Sequence, residues 1–213
     1  MSKVSPSTDW REARRASARE AIVDAAWELA SEVGLAGMTL RELARRAGVT
    51  TPTLYAYFDS KDAIYDAMFG RAATDFADLM AEPLDARDTS AALVSYARRF
   101  VEFCTSDVAR YQLLFQRTVP DFEPSPESYA PAVRALDATR EHLARNGITE
   151  ARHVDVWTAL LSGLVDQQVS NDPGGDRWTR LIEEAVTMFL SHCRPASGAR
   201  TARSGSPTKG HQR

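Results

Sequence analysis

The chain has 213 residues, a formal net charge of −3, and 44% hydrophobic and 26% charged residues. This composition is typical of a globular protein, and it excludes a collagen-like or wholly disordered chain. The sequence has no apolar run of about 18 residues or more and no apolar N-terminal segment, so we expect a cytoplasmic protein without a membrane partner.

Apolar residues recur at helical spacing along nearly the whole chain, and no stretch alternates as a strand does. The pattern predicts a first helix over 11–33, which Gly34 stops. A second helix begins at Thr39 with a capping box, in which the Thr39 hydroxyl accepts a hydrogen bond from a first-turn N–H and Glu42 reaches back. Gly48 ends this second helix.

A third, very short helix is expected over about 51–58, because Pro52 suits a first helical turn, where its missing N–H costs nothing. A fourth helix begins after Ser60 or Asp59 and ends before Pro83. Further apolar stripes predict helices that include 93–104, 108–115, 129–143, 154–165 and 178–190. The sequence therefore predicts an all-α fold of about nine helices.

Charge differs strongly between the parts of the chain. Residues 66–194 hold 13 basic and 20 acidic residues, a net charge of −7, so this part is not expected to wrap around DNA. Residues 195–213 hold four basic residues and no acidic one, and their Pro-, Gly- and Ser-rich composition predicts a disordered basic tail. Residues 1–10 are expected to form a flexible N-terminal arm.

Two short helices joined by a tight turn at Gly48 are typical of a helix-turn-helix, whose second helix enters the major groove of DNA. Leu54 and Phe58 lie four residues apart and are expected to face inward. The side chains left facing outward are Thr51, Thr53, Tyr55 and Tyr57, with Thr50 just ahead of them. Such hydroxyls and aromatic rings suit contacts to phosphates and base edges, although Tyr55 has the alternative of packing against the first helix.

This region resembles the tetracycline-repressor (TetR) family of bacterial transcription regulators. The matching residues are 21–26, Gly34, 39–44, Gly48-Val49, 53–58 and 60–62, within about residues 12–68. The resemblance implies a helix-turn-helix DNA-binding domain over 11–60 and a helical ligand-binding and dimerisation domain over 61–194. Many members have Gly where Pro52 stands.

The resemblance also implies roles for single residues. Thr39 is expected to contact phosphate, and Arg41 stands where some members have a base-contacting arginine. The base-reading positions are Thr50, Thr51, Pro52 and Thr53, and the backbone-contacting positions are Tyr55, Tyr57 and Lys61. Arg14 and Arg15, with Lys3 and Arg11, are candidates for reaching a neighbouring groove, whereas Arg45 and Arg46 are expected on a solvated face.

By resemblance, the acidic half binds a small molecule among its middle helices and dimerises through its last two, whose broad apolar stripes independently favour a partner. The candidate pocket residues are Phe76, Met80, Tyr96, Phe100, Phe103, Cys104, Tyr111, Phe115 and Trp157. Their aromatic density suits a lipophilic or aromatic ligand, and the alternative is that they are core residues. The candidate dimer contacts are Leu160, Leu161, Leu164, Trp178, Leu181, Val186 and Phe189.

Together these features predict a homodimeric transcriptional repressor that a small ligand releases from double-stranded operator DNA. No cofactor, metal or catalytic activity is expected, because the four histidines lack metal-ligand spacing and no catalytic motif is present. The alternatives are an architectural or co-regulatory DNA-binding protein that ignores ligands, an activator, and a helical enzyme that retains the DNA motif.

Overall fold

The computed structural model describes residues 6–84 and 86–193. Within these ranges the chain is all-α, with nine α-helices, one 3₁₀ turn and no strand, which confirms the predicted fold class. The helices are α1 (Pro6–Gly37), α2 (Leu40–Arg46), α3 (Thr51–Tyr55), α4 (Lys61–Ala81), α5 (Thr89–Ser106), α6 (Val108–Phe115), α7 (Pro126–Arg145), α8 (Ala151–Asn171) and α9 (Ile182–Cys193), with the 3₁₀ turn at Thr179–Leu181. In the described ranges, no helix has the length and apolarity needed to span a membrane.

The first helix begins earlier than the sequence predicts. Helical backbone starts at Pro6, so the predicted start at residue 11 is wrong, whereas the flexible arm over 1–10 stays a prediction and its residues 1–5 lie outside the described residues. The predicted stop at Gly34 is confirmed, because this residue has φ 75° and ψ 162°, a backbone conformation that favours glycine. The Tyr65 hydroxyl then donates to the Leu35 carbonyl at 2.6 Å and ties the end of α1 to α4.

The helix-turn-helix pair is capped at both helix starts by threonine. Thr39 accepts a hydrogen bond from the N–H of Glu42 at 3.3 Å, and Thr50 accepts one from the N–H of Thr53 at 3.2 Å. The reciprocal half of the predicted capping box is wrong, because the Glu42 carboxylate accepts hydrogen bonds from Arg45 instead. The third helix also ends earlier than expected, at Tyr55 instead of residue 58.

Two apolar clusters form the interior, and α4 contributes to both. The first cluster joins α1, α2 and α3 to the N-terminal part of α4 and to one side of α6. The second joins the C-terminal end of α4 to the remaining helices. Because the clusters meet along α4, this helix connects the helix-turn-helix mechanically to the other helices; the predicted domain boundary at 60/61 stays a prediction.

A half-buried carboxylate ties α7 to α4. Asp66 on α4 accepts hydrogen bonds from the N–H of Ser125 at 2.6 Å, the hydroxyl of Ser125 at 3.0 Å and the hydroxyl of Ser128 at 2.8 Å. A Cβ atom at Gly70 would lie 3.0 Å from the Ser128 hydroxyl oxygen, so glycine allows this close approach. On its other side, α4 is tied to α1, because Arg71 pairs with Asp24 at 2.6 Å.

Candidate nucleic-acid interface and ligand cavity

The third helix is anchored by two apolar side chains and leaves the others free. Leu54 and Phe58 are buried, which confirms that they face inward. Tyr55 is 49% exposed, which favours the outward orientation over packing against the first helix. Thr51 and Tyr57 are only half-buried, and the expectation that they face outward is therefore wrong in part.

Two arginines of α1 hold the end of α3. Arg15 donates to the Ala56 carbonyl at 3.1 Å and lies 6.0 Å from the centre of the Tyr57 ring. Arg19 donates to the Tyr57 carbonyl and lies over the Phe58 ring. Carbonyls at a helix end have no partner within the helix, so these guanidinium groups satisfy them. Arg15, which was a candidate for reaching a neighbouring groove, thus contacts its own chain, and sequence spacing alone does not reveal this role.

The three arginines of α2 differ in their pairing. Arg45 pairs with Glu42, and Arg46 pairs with Glu32, and these hydrogen bonds lower the pKa of both glutamates. Arg45 is well exposed as expected, whereas Arg46 is largely covered. Among the described residues, Arg41 has no ion-pair partner and is exposed, so its charge is available to a ligand.

The remaining candidate DNA contacts lie at or near the starts of α2, α3 and α4. The Thr50 and Thr53 hydroxyl oxygens lie 2.8 Å apart, so they share one hydrogen bond. Lys61 is half-buried, with its ammonium group 5.2 Å from the centre of the Tyr65 ring. The candidates with exposed side chains are Thr39, Arg41, Thr50, Pro52, Thr53 and Tyr55.

A cavity of about 110 Å³ lies between α4, α5, α6, α7 and α8. Its walls are formed by Ala73, Phe76, Tyr96, Phe100, Leu114, Phe115, Ala132, Ala135, Leu136, Thr139, Trp157, Thr158 and Leu161. The lining residues Phe115 and Leu136 are partly exposed to solvent, so the cavity is not fully enclosed. On the far side of the Tyr96 ring, the imidazole of His142 stacks at a centroid distance of 4.4 Å.

Residues 22–68, which include α2, α3 and their turn, match the family described as bacterial regulatory proteins, tetR family. Over these residues the chain is similar to this family. Its curated relatives include the tetracycline repressor of class D from Escherichia coli, which is 46% identical over 50 residues, or 24% of this chain. This chain spans only 23% of the length of that relative.

Other comparisons extend beyond the helix-turn-helix. The tetracycline repressor of class A from transposon 1721 of Escherichia coli is 26% identical over 194 residues, which cover 89% of this chain and 79% of that one. A solved tetR-family transcriptional regulator from Streptomyces coelicolor is 22% identical and superimposes with a TM-score of 0.66 over 82% of this chain and 79% of that one. Because the Streptomyces coelicolor protein is only 22% identical, this similarity shows a shared fold and nothing about function.

The structure brings together five of the nine pocket residues predicted from the TetR resemblance. Phe76, Tyr96, Phe100, Phe115 and Trp157 line the cavity. Met80, Phe103, Cys104 and Tyr111 do not, so their assignment to the pocket is wrong in this structure. All nine lie on helices that surround the cavity, but periodicity does not distinguish the cavity side of a helix from its other buried side.

The four other residues have structural surroundings of their own. Cys104 is fully buried in the second cluster, and burial raises the pKa of its thiol. Tyr111 donates its hydroxyl hydrogen to Asp166 at 2.6 Å. Phe103 packs against Phe76 with ring centres 5.0 Å apart, and Met80 borders a separate recess near His142.

Sequence reasoning missed the small and polar residues of the cavity. Ala132, Ala135 and Thr139 lie on one side of α7, and Thr158 lies on α8. Aromatic density predicts only large lining residues, whereas a cavity exists where small side chains leave space between large ones. The signal that points to these positions is the spacing of three, then four, residues along α7.

The predicted dimer contacts are corrected by burial. Leu161, Val186 and Phe189 are buried in the core of the single chain, so they do not reach a partner in this arrangement. The other four predicted contacts, Leu160, Leu164, Trp178 and Leu181, are half-buried. The exposed apolar or small residues on the last two helices include Val156, Ala159 and Gly163 on α8 and Met188 on α9.

Proposed function

We propose that this chain is a homodimeric transcriptional repressor that binds double-stranded operator DNA through α2 and α3 and is released by a small ligand. The observation that carries the proposal is the arrangement of α3. Buried Leu54 and Phe58 fix the helix to the first cluster, while Thr53 and Tyr55 remain exposed beside it. A short helix that is anchored on one side and free on the other fits the major groove.

The exposed side chains supply two kinds of contact with DNA. Thr39 and Tyr55 carry hydroxyl groups that suit phosphate oxygens, as does the ammonium group of Lys61. Arg41 carries a free guanidinium group, and Thr50 to Thr53 supply hydroxyl and methyl groups for base edges. Residues 1–65 hold nine basic and nine acidic residues, so these particular contacts, and not general attraction, carry the affinity.

A dimer doubles these contacts and sets their spacing. Two recognition helices about 34–36 Å apart enter successive major grooves on one face of the duplex. An interface through the last two helices is supported by the exposed apolar side chains of Val156 and Met188. The small exposed residues Ala159 and Gly163 of α8 would let a partner helix approach closely. The nucleoid in the cytoplasm is then the site of action.

The cavity between α4 and α8 supports control by a ligand. The shared fold is able to enclose a small molecule: a TetR from Acinetobacter baumannii, 20% identical with a TM-score of 0.56, was solved in complex with minocycline. In this chain α4 lines the cavity with Ala73 and Phe76, and the same helix is fixed to α1 and α7. A ligand shifts the spacing of the recognition helices only if it binds one arrangement of the dimer more tightly than the other. The coupling free energy between a ligand site and a DNA site is typically about 1–3 kcal/mol.

The test is fluorescence anisotropy of the full chain on the DNA upstream of its own gene and on a scrambled duplex, at two salt concentrations. We expect binding that keeps its preference for the upstream duplex at the higher salt. Tyr55→Ala is expected to weaken this binding about tenfold, because each dimer loses two hydrogen bonds of about 0.5–1.5 kcal/mol. Tyr129→Ala, which removes an equally exposed tyrosine on α7, is the matched control.

Two outcomes count against the proposal. If genomic fragments selected by the protein share no sequence, the chain does not read an operator. If Tyr55→Ala and the control bind the selected sequence equally well, α3 is not the reading helix.

A further inference from the structure

The cavity offers a ligand a wall of aromatic rings. Phe76, Phe100 and Phe115 contact one another edge to face, with ring centres 5.2–5.9 Å apart. Tyr96 and Trp157 form the part of the wall contributed by α5 and α8. Edge-to-face and offset contacts are favourable for a further aromatic ring, so this wall favours a flat aromatic ligand.

The volume sets the size of that ligand. A cavity of about 110 Å³ is somewhat smaller than an engineered cavity of about 150 Å³ that stays dry and binds benzene. Because the cavity is not fully enclosed, there is room for a small substituent on the ring. One ring therefore fits without moving the helices, whereas a fused multi-ring molecule or a long chain requires them to move apart.

The walls carry no ionisable side chain other than the Tyr96 phenol, among the described residues. A charged group inside would lose its water without gaining an opposite charge, which is strongly unfavourable. Burial raises the pKa of Tyr96 to about 12, so this phenol also stays neutral. The ligand that the cavity accepts is consequently uncharged.

The hydrogen bonds of Tyr96 define the polar group of the ligand. Thr139 donates its only hydroxyl hydrogen to the Ala135 carbonyl at 2.9 Å. The 2.7 Å bond between Thr139 and Tyr96 must then use the Tyr96 hydrogen, which leaves the Tyr96 oxygen free only to accept. A ligand that pairs with this oxygen must bring a hydrogen-bond donor.

A second polar group of the cavity wall, the indole of Trp157, is a donor that lacks an acceptor in the part of the chain that the structure describes. The indole N–H of Trp157 is buried and finds no acceptor among the described residues. An unpaired buried donor is unfavourable, and an acceptor on a ligand is one way to satisfy it. A hydroxyl group both donates and accepts, so it has the chemistry to pair with either of these groups.

We infer that the ligand of this cavity is an uncharged single-ring aromatic molecule with a hydroxyl group, that is, a simple phenol. This inference rests on the proposed function only in taking the cavity as the effector site. The ring lies against the phenylalanine wall, and its hydroxyl hydrogen is donated to the Tyr96 oxygen.

The experiment is isothermal titration calorimetry of the full chain, without DNA, with phenol, toluene and benzoate as probes. Phenol is expected to bind about three- to tenfold more tightly than toluene, the effect of one net hydrogen bond. Benzoate is expected to bind more than about 100-fold more weakly than phenol, because its charge has no partner in the cavity. Ala135→Leu, which fills the cavity, is expected to abolish the binding of all three.

Two variants test the hydrogen-bond argument. Tyr96→Phe keeps the ring that stacks on His142 and is expected to reduce the advantage of phenol over toluene, whereas Tyr129→Phe, outside the cavity, leaves it unchanged. Thr139→Val frees the Tyr96 hydrogen, so anisole, which only accepts hydrogen bonds, is expected to gain more over toluene in this variant than in the wild-type chain. Circular dichroism and melting curves check that each variant folds.

The inference is overturned if benzoate binds as tightly as phenol or if neither phenol nor toluene binds the wild-type chain. It is also overturned if Tyr96→Phe and Thr139→Val leave the relative affinities of phenol, toluene and anisole unchanged. Operator binding is measured separately, by anisotropy with and without phenol. If phenol binds the cavity and operator binding is unaffected, the ligand class stands and the proposed release mechanism fails. If operator binding responds only to charged or larger molecules, the repressor stands and the ligand class is wrong.

Discussion

The guanidinium carbon of Arg19 lies 4.1 Å from the centre of the Phe58 ring, and the same group donates a hydrogen bond to the carbonyl of Tyr57. Arg19 belongs to the first helix, and Phe58 anchors the turn that follows α3. One side chain therefore satisfies a carbonyl at the end of the third helix and covers the aromatic ring below it. The orientation of α3 depends in this way on a residue that is itself remote from the exposed side of the helix.

Arg19→Ala is expected to destabilise the chain by about 1–2 kcal/mol, since it removes a cation–π contact and a hydrogen bond to a helix end. It is also expected to weaken operator binding beyond the loss of folded protein, because α3 loses one of its two arginine contacts. Urea unfolding and anisotropy measure the two effects. Arg134→Ala removes an exposed arginine of α7, away from the helix-turn-helix, and is the control. Operator affinity equal to that of the control would show that Arg19 does not orient α3.

The contrast between Phe58 and Arg19 shows how far the sequence predicts the structure. The inward side of α3 follows from the spacing of Leu54 and Phe58, because helical periodicity fixes which side chains share a face. The role of Arg19 does not follow, because it depends on how α1 crosses the end of α3. Charged residues on a regular helix give no local signal of such long-range contacts.

Asp66→Ala is expected to destabilise the chain by about 2–4 kcal/mol, because three hydrogen bonds from Ser125 and Ser128 lose their common acceptor. Chemical denaturation measures this loss. Asp66→Asn keeps one acceptor oxygen and is expected to lose less stability than Asp66→Ala. Asp78→Ala removes an exposed carboxylate from the same helix and is expected to change the free energy of unfolding by less than about 0.5 kcal/mol. If Asp66→Ala and Asp78→Ala have the same free energy of unfolding, the Asp66 carboxylate does not hold α7 to α4.

His142 is expected to make the chain less stable in mild acid. Its pKa is lowered by burial and by the positive charges of Arg145 and Arg99. A hydrogen bond with the backbone of Ala92 raises the pKa, but by less than burial lowers it. The unfolded chain therefore binds more protons than the folded chain as the pH falls below about 6.5, and the free energy of unfolding decreases. Above that pH, the imidazole is neutral in both states and this effect is absent.

His142→Phe keeps a ring against Tyr96 and removes the titrating group. Urea unfolding at about pH 7.5 and about pH 5.5 is expected to show a smaller loss of stability in this variant than in the wild-type chain. His192→Gln removes an exposed imidazole of α9 and is the matched control. An equal pH dependence of wild type and His142→Phe would mean that His142 does not cause the acid sensitivity.

The pocket shows a second limit of prediction from sequence. Phe76 and Phe103 both belong to apolar stripes, but only Phe76 lines the cavity, because empty space depends on the small residues opposite. Ala135 and Thr139 create that space on α7, and single alanines and threonines carry no sequence signal for a cavity. The same holds for the last two helices, where Phe189 looks like a contact residue and is buried, while Met188 beside it is exposed.

Met188→Glu is expected to convert the proposed dimer into a monomer. Met188 is 64% exposed on α9, and a carboxylate in the interface would bring two like charges together around the dimer axis while burying them. Light scattering measures the mass, and anisotropy is expected to show a large loss of operator affinity, because a monomer contacts one half-site. Val133→Glu changes an exposed apolar residue of α7 and is expected to leave the mass unchanged. If Met188→Glu remains dimeric while Val133→Glu dissociates, the two protomers associate through α7 and not through α8 and α9.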